Sequence, residues 1–259
     1  MDYIDSYVAF LDVLGFKQMV MGRENDKIDK YFEIVNKRIE EFKNIDNKRM
    51  IGNIVISDSV ILTVKKKSKA EDNRKLLRQL CIAVSKIQKS LAIDDIWLRG
   101  AITTGDTYFN QVKNQIVGPA YINAYDLEEN VAKYPRVILE NKIFLDLNFD
   151  TSSEFINNIN MSSANEIRDI ALYDWRKNVF ASKHTIDQDV IFFIDYLESL
   201  MRNPEEFNAV YKNIKKNMYL DTRVSVKYRW VIDYLYTVLN REENSGKIYY
   251  EQMKKLDRI

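Results

Sequence analysis

The order of strand-like and helix-like segments in the N-terminal part of the chain constrains the fold more than any other sequence feature. Apolar runs at residues 7–13 and 96–103 predict buried strands, and residues 51–64, rich in β-branched side chains and interrupted by one polar turn, predict two antiparallel strands. Apolar residues at helical spacing predict amphipathic helices over 28–42 and 76–91. The order β-α-β-β-α-β predicts an α/β fold of the α+β, ferredoxin-like type, with two helices on one face of an antiparallel sheet.

Two glycines and a proline organise the segment that follows. Gly105 and Gly118 bracket a polar stretch typical of a hairpin, and Pro119 stands at the first turn of an expected helix. Since no Pro/Gly-rich linker precedes the C-terminal part, we expect a core domain at residues 1–197 and a helical C-terminal extension, 198–259, packed on it. Further expected elements are short strands at 136–139 and 190–194 and helices around 207–214 and 230–239.

The near balance of charges limits the partners that the chain can attract. It carries 39 Lys and Arg against 38 Asp and Glu, a formal charge of +1, so no global field draws it to nucleic acid or to an acidic membrane. The N-terminus lacks the basic and apolar regions of a signal peptide, and the longest apolar run, 190–194, is too short to span a bilayer. We therefore expect a cytoplasmic protein, with neither nucleic acid nor membrane among its partners.

Histidine and cysteine are nearly absent, which excludes several catalytic designs. His184 is the only histidine, so a histidine-rich metal site or a nucleophile-histidine-acid triad lacks the residues it needs. Cys81, the only cysteine, lies at a core-facing position of a predicted helix, where we interpret it as a small buried hydrophobe. Any catalysis must then rest on carboxylates, metal ions and phosphate chemistry.

The first predicted strand ends in an acid and a glycine turn. The carboxylate of Asp12 can bind Mg²⁺, and the amides of Leu14, Gly15 and Phe16, at the start of a following helix, can cradle phosphate oxygens. Lys17 could reach a β- or γ-phosphate, or it could be solvated like most surface lysines. Taken alone, an Asp before a Gly turn is also typical of a cap or turn residue.

A second acid falls at the bend of the predicted hairpin. Asp58 lies between two β-rich segments, and in a ferredoxin-like sheet this hairpin is adjacent to the first strand, so Asp12 and Asp58 should meet at one end of the sheet. Such a pair can bind one or two metal ions that neutralise a triphosphate and activate a hydroxyl for in-line attack at phosphorus. The alternative, a merely polar turn at 57–59, stays open on chemistry alone.

Four segments, in this order along the chain, resemble the class III adenylate and guanylate cyclases. They are the first-strand segment at 10–16, the acid hairpin at 54–58, the strand at 98–106, and the segment at 116–128 that in the family carries base-reading and transition-state residues. The resemblance implies Mg²⁺ or Mn²⁺, two per site, at Asp12, Val13 and Asp58. It also implies a nucleoside triphosphate substrate and a homodimer, since sites of this family form between two subunits.

Departures from the family pattern concern the base and the transition state rather than the metal. Ile54 stands where the purine cyclases have a Lys, and Gln115 where they have an adenine-reading acid. The usual transition-state Asn and Arg fall on Ile122 and Asp126, which leaves Asn123 displaced by one residue. We interpret this as altered substrate with retained activity, in which Asn123 is a catalytic candidate and Ile54 and Gln115 line a base pocket.

Arg99 is the remaining catalytic candidate. It falls at the start of the predicted strand at 96–103, where it could face phosphate or serve as an ion-pair partner.

Segments near the C-terminus extend the resemblance to one bacterial group. Residues 193–197, Phe-Ile-Asp-Tyr-Leu, and 227–230, Lys-Tyr-Arg-Trp, are similar to segments of the pyrimidine cyclases of Pycsar antiphage systems. This resemblance implies conversion of UTP or CTP to a cyclic nucleotide that signals to a separate effector protein. Two alternatives remain open: a purine cyclase that reads its base through other contacts, and a non-catalytic ferredoxin-like binding module.

Overall fold

The structure is a computed structural model that describes residues 1–44, 51–160, 171–174, 190–241, 251 and 254. His184 lies outside these residues. No helix within them is long and apolar enough to cross a membrane.

The core elements follow the predicted order. They are β1 (Ile4–Val13), α1 (Phe16–Met21), α2 (Asn25–Asn44), β2 (Ile51–Ile56), β3 (Ser59–Lys65), α3 (Ala70–Ile93) and β4 (Leu98–Asn110). The strands are antiparallel and lie in the order β2-β3-β1-β4, which confirms the ferredoxin-like α+β fold. The elements that follow are β5 (Gln115–Val117), α4 (Pro119–Asn130), β6 (Val137–Leu139), α5 (Asn141–Asp146), α6 (Ser152–Asn160), a 3-10 helix (Glu198–Arg202), α7 (Pro204–Met218) and α8 (Thr222–Leu239).

The central strand β1 is buried on both faces, which explains its continuous apolar run. Tyr7, Leu11 and Val13 belong to the main core together with residues of α2 and α3, whereas Val8 and Phe10 face the opposite side. There they pack with Ala120 and Ala124 of α4 in a second, smaller cluster. Because side chains alternate along a strand, Asp12 falls on this second face, the face that α4 covers.

The strand predicted at 96–103 is longer than expected. β4 runs to Asn110, because it pairs with β1 as far as Thr107 and then with β5 from Tyr108. The hairpin expected between the two glycines is confirmed, and so is the helix that starts at Pro119.

The strand expected at 190–194 is wrong in extent. Only Phe193 and Ile194 form bridges, to Ile138 and Leu172 respectively, and each bridge is isolated, so no continuous ladder forms. The short helices α5 and α6 were not predicted.

The two predicted tail helices are present and begin at side-chain caps. Asn203 accepts hydrogen bonds from the amides of Glu205 and Glu206 at the start of α7, and Asp221 accepts one from the amide of Arg223 at the start of α8. Their apolar faces belong to the main core cluster, so the tail packs on the core as expected. The domain boundary at residue 197 remains a prediction.

A buried ion pair connects the chain just after α8 to the core. Arg241 donates to the Asp195 carboxylate at 2.6 Å, and the Tyr234 hydroxyl donates to the other oxygen of that carboxylate at 2.5 Å. Both charged side chains are almost fully buried, Asp195 at 1% and Arg241 at 1% exposure. A buried charge that loses its partner is strongly destabilising, so this pair makes the position of α8 depend on the core.

We predict that Arg241→Met lowers the free energy of unfolding by about 3–5 kcal/mol, because it leaves the Asp195 carboxylate buried without its cation. Urea unfolding followed by circular dichroism measures the change. Arg223→Ala, which removes an exposed ion pair at the start of the same helix, serves as the control and should leave the midpoint unchanged. A similar midpoint for both variants would contradict the assigned role of the buried pair.

Candidate active site

The two predicted carboxylates meet at one end of the sheet. Asp12 is the penultimate residue of β1 and pairs with Ser59 of β3, while Asp58 lies in the turn that joins β2 to β3. The amide of Val13 donates to the carbonyl of Asp58 at 3.1 Å, which fixes this turn against the end of β1. Ser57 takes a left-handed conformation, with φ of 54°, to make the bend.

The electrostatics of Asp12 fit a site for a divalent cation. Burial, and then the negative charge of Asp58, raise the pKa of Asp12 to about 6, against the opposing effects of Arg99 and Lys227. A cation bound between two carboxylates that repel each other would relieve this cost, and Mg²⁺ and Mn²⁺ prefer such oxygen ligands. Within the described ranges no group of three or more His, Cys, Asp or Glu gathers around one point. Backbone carbonyls, water and substrate phosphates would therefore complete the coordination, as is usual for Mg²⁺.

Arg99 is held close to Asp12 by a carboxylate that sequence reasoning missed. It is the β4 partner of Asp12, and its Nε lies 3.7 Å from Asp12 Oδ2 but 2.5 Å from Glu128 Oε1. The nearer contact is an ion pair without the alignment of a hydrogen bond. Glu128 is only 3% exposed, and burial raises its pKa to about 7 although Arg99 opposes the rise. Of the two expectations for Arg99, the structure shows the ion-pair partner, and a role facing phosphate stays a prediction.

The position of Glu128 has a sequence signal that could have found it. Along α4 the buried residues are Ala120, Ala124 and Glu128, one every four residues. A charged residue at the core-facing position of a helix is almost always paired, so this spacing predicts a buried partner cation.

The glycine turn after β1 differs in part from the expectation. Gly15 adopts φ of 79°, which suits glycine, and α1 starts directly after it. The Leu14 amide, however, donates to the carbonyl of Trp97 at 2.8 Å, so the prediction that it cradles a phosphate is wrong. The side chain of Phe16 is buried against Tyr31, and Lys17 is exposed. The amides of Gly15 and Phe16 and the Lys17 ammonium remain the phosphate-binding candidates of this turn.

The three remaining predicted residues lie on the face of the sheet that α4 covers, or at its edge. Ile54 is 3% exposed and packs with Phe10 and Ala124, so within one chain it is a core residue rather than an open pocket wall. Gln115 on β5 and Asn123 on α4 are exposed. No contact found in the described part of the chain joins either of them to Asp12 or Asp58. Their roles stay predictions.

Solved structures of similar fold include several nucleotide cyclases. The chain is similar to the adenylyl cyclase CyaB from P. aeruginosa, with a TM-score of 0.42 and 15% identity over 56% of this chain and 81% of that one. It is also similar to the monomeric guanylyl cyclase domain of the RhoGC fusion protein from the aquatic fungus Blastocladiella emersonii, with a TM-score of 0.42 and 15% identity over 55% and 84% of the two chains.

A third similar structure is a class III adenylyl cyclase-like ATP-binding protein from Pseudomonas aeruginosa, with a TM-score of 0.42 and 14% identity over 60% of this chain and 37% of that one. No protein-family model and no curated protein matches the sequence. Because identities of 14–15% concern the fold alone, the function of this chain has to be inferred from its own residues.

We predict that Asp12→Asn and Asp58→Asn each weaken Mn²⁺ binding by at least about tenfold, roughly 1.4 kcal/mol, because each removes half of the carboxylate charge at the site. Calorimetric titration of Mn²⁺ measures the affinity. Asp12→Asn should not impair folding, since burial already disfavours the charged form of this residue. Asp29→Asn, on the exposed face of α2, is the matched control, and wild-type affinity in both site variants would contradict the metal assignment.

Proposed function

We propose that this chain is a metal-dependent nucleotidyl cyclase, which converts a nucleoside triphosphate to a 3′,5′-cyclic nucleotide and pyrophosphate. The observation that carries the proposal is the pairing of Asp12 and Asp58 at the end of β1, where burial and mutual repulsion leave Asp12 with a raised pKa. Two adjacent carboxylates beside a glycine turn suit a magnesium-bound triphosphate.

The residues of the site have distinct tasks in this reaction. The 3′-hydroxyl gives its proton to water, its oxygen bonds to the α-phosphorus, and the bond from that phosphorus to the bridging oxygen breaks as pyrophosphate leaves. Divalent cations, when bound, neutralise the triphosphate and lower the pKa of the attacking hydroxyl. Asp12 and Asp58, with the backbone of Val13, would hold them. The Gly15 and Phe16 amides and Lys17 would bind phosphate oxygens, and Arg99 supplies positive charge beside them.

The Glu128 contact is what keeps the Asp12 carboxylate available in this scheme. Arg99 Nε lies 2.5 Å from a Glu128 oxygen and 3.7 Å from an Asp12 oxygen, so its closer ion pair is with the buried glutamate. If Arg99 were fully paired with Asp12, a divalent cation would have to displace it. The observed distances favour a metal-binding site over a purely structural ion pair.

We propose further that the substrate is a pyrimidine nucleoside triphosphate, UTP or CTP. Ile54, unlike a lysine, cannot donate a charged hydrogen bond to a ring nitrogen. Its side chain is buried beneath α4 as part of the core. Gln115 offers both a donor and an acceptor from an exposed position, whereas a carboxylate could only accept. An amide of this kind suits the adjacent carbonyl and NH or amino groups of a pyrimidine ring.

The site is proposed to be completed by a second copy of the chain. Asn123 is exposed on α4, and the same helix exposes two large apolar side chains, Ile122 at 55% and Tyr125 at 44%. Ile56, beside the turn that carries Asp58, is 58% exposed. A homodimer that covers these side chains would bring a partner surface to the metal site.

The resemblance to the Pycsar cyclases supports a biological role for the product. We propose that the cyclic pyrimidine nucleotide is a signal in antiphage defence, read by a separate effector protein. A chain that releases a diffusible product needs no stable contact with the effector. The consequence for experiments is that turnover can be measured on the purified chain alone.

The experiment that tests the proposed function is incubation of the purified protein with each of the four nucleoside triphosphates and Mn²⁺. We predict that UTP or CTP is turned over at least about tenfold better than ATP and GTP in competition, a barrier difference of roughly 1.4 kcal/mol. Mass spectrometry identifies the cyclic product, and a coupled assay measures pyrophosphate.

Each result of this assay points to one function. A preference for ATP or GTP would overturn the pyrimidine assignment and favour a purine cyclase. The absence of product from all four triphosphates would overturn the cyclase proposal in favour of a non-catalytic binding module. Asp58→Ala, which should abolish turnover, shows that any product comes from this site.

We predict that Ile122→Asp produces a monomer and removes most turnover, because the charge would have to be buried in the dimer interface. Sedimentation velocity at micromolar concentration measures the oligomeric state. The same substitution at Leu220, an equally exposed apolar residue in the turn between α7 and α8, is the control and should leave dimer and turnover intact. A fully active monomer would contradict the proposed interface.

A further inference from the structure

The C-terminal helix carries a further charged residue, Lys227, toward the elements at the end of β1. Asp12, Arg99 and Glu128 come from β1, β4 and α4, and Lys227 comes from α8. Lys227 is half-buried and lies one helical turn before the buried Trp230, on the side of α8 that packs against the core. Burial, then repulsion by Arg99, lowers the pKa of Lys227 against the opposing attraction of Asp12 and Glu128.

Two aromatic contacts hold α8 in this place. The ring of Tyr228 packs edge-on against Trp97 at 5.7 Å, and Trp97 precedes Arg99 by two residues in the chain. Trp230 stacks on Tyr134, with ring centroids 5.4 Å apart and planes within 4° of parallel. Because Trp97 leads into β4 and Tyr134 follows α4, the first half of α8 is held against both elements that carry the Arg99–Glu128 pair.

Arg136 reinforces the second contact from inside the core. Its guanidinium lies over the rings of Tyr134 and Trp230, at 5.2 Å and 5.4 Å from their centroids. The carbonyl of Arg136 accepts a hydrogen bond from the amide of Gly100, the residue after Arg99. The position of Lys227 on α8 is therefore set by the packing of its neighbours rather than by an ion pair of its own.

Lys227 differs from Arg99 in that its ammonium has no ion-pair partner among the described residues. Arg99 contacts Glu128 and lies near Asp12, whereas Lys227 has no carboxylate oxygen within 4.0 Å among the residues that the structure describes. A half-buried ammonium without a close anion pays a desolvation cost that an arriving anion would offset. A lysine presents a compact point charge, which suits the oxygens of a phosphate.

We propose that Lys227 is a substrate-binding residue, whose ammonium binds a phosphate oxygen of the nucleoside triphosphate held at Asp12 and Asp58. This inference rests on the proposed function and deepens it, because it makes the C-terminal helix part of the nucleotide site. A phosphate-binding role of Lys227 has a consequence that a purely structural role would not have. The ammonium repels a divalent cation that binds alone, yet attracts the metal-nucleotide complex, so its removal should change the two affinities differently.

The test compares Lys227→Met with wild type in two binding measurements. The first is Mn²⁺ alone, followed by the electron paramagnetic resonance of the free ion. The second is calorimetric titration, in saturating Mn²⁺, of the α,β-methylene analogues of UTP, CTP, ATP and GTP, which cannot be cyclised. We expect Mn²⁺ alone to bind at least as tightly as in wild type and the best analogue to bind at least about tenfold more weakly.

Two further variants make the comparison specific. Lys227→Arg keeps the positive charge and should restore most of the analogue affinity. Arg229→Ala removes a cation that is exposed on the same helix and should change neither affinity. Thermal unfolding of all variants shows whether α8 stays packed.

The outcomes separate this inference from the proposed function. If Lys227→Met weakens Mn²⁺ and analogue binding equally, or changes neither, the inference is overturned. It is also overturned if the wild type binds no analogue. If the analogue binds through Lys227 but the wild type forms no cyclic product from any triphosphate, the inference stands and the cyclase proposal fails.

Discussion

The pairing of β1 with strands on both sides is the interaction on which the rest of the site depends. Asp12 lies opposite Ser59 on one side and Arg99 on the other, so one register fixes both the turn that carries Asp58 and the cation beside the candidate metal site. A slip of one residue would move Asp12 to the face of the main core and Leu11 to that of α4, which burial of the strand forbids. The same apolar alternation that stabilises the sheet therefore also positions its chemistry.

Helix α4 contributes to the site through a residue that is costly to bury. Glu128 is the third buried residue along the inner face of α4, after Ala120 and Ala124. The small alanine side chains let the helix approach β1 closely. A glutamate at 3% exposure is tolerated because Arg99 faces it from β4. The pair connects the helix that exposes Asn123 to the strand end that carries Asp12. Movement of α4 against the sheet would thus change the charge next to the candidate metal site.

The sequence predicted the core elements and the meeting of the two acids, because both follow from local periodicity and from the connectivity of one supersecondary unit. It could not predict that the Leu14 amide donates a hydrogen bond to the carbonyl of Trp97, since that bond depends on how the loop before β4 returns to the sheet. It also did not predict the burial of Ile54, which depends on where α4 packs after a long excursion of the chain. Glu128 could have been found from helical spacing. Lys227 lies in the segment 227–230 that the resemblance singled out, but its place in the fold could not be predicted. Its place depends on aromatic contacts across more than 90 residues of chain, which no local pattern encodes.

The tail is tied to the candidate site by physical links of different kinds. In its first half, α8 is held by an edge-on aromatic contact to Trp97 and by a stacked contact to Tyr134. Beyond its end, Arg241 is fixed by a fully buried ion pair to Asp195, which follows directly on the bridges of Phe193 and Ile194 to the core. A buried pair has a steep distance dependence and little tolerance for displacement. The helix is therefore held at two places, by aromatic contacts in the half that carries Lys227 and by the buried ion pair beyond its end.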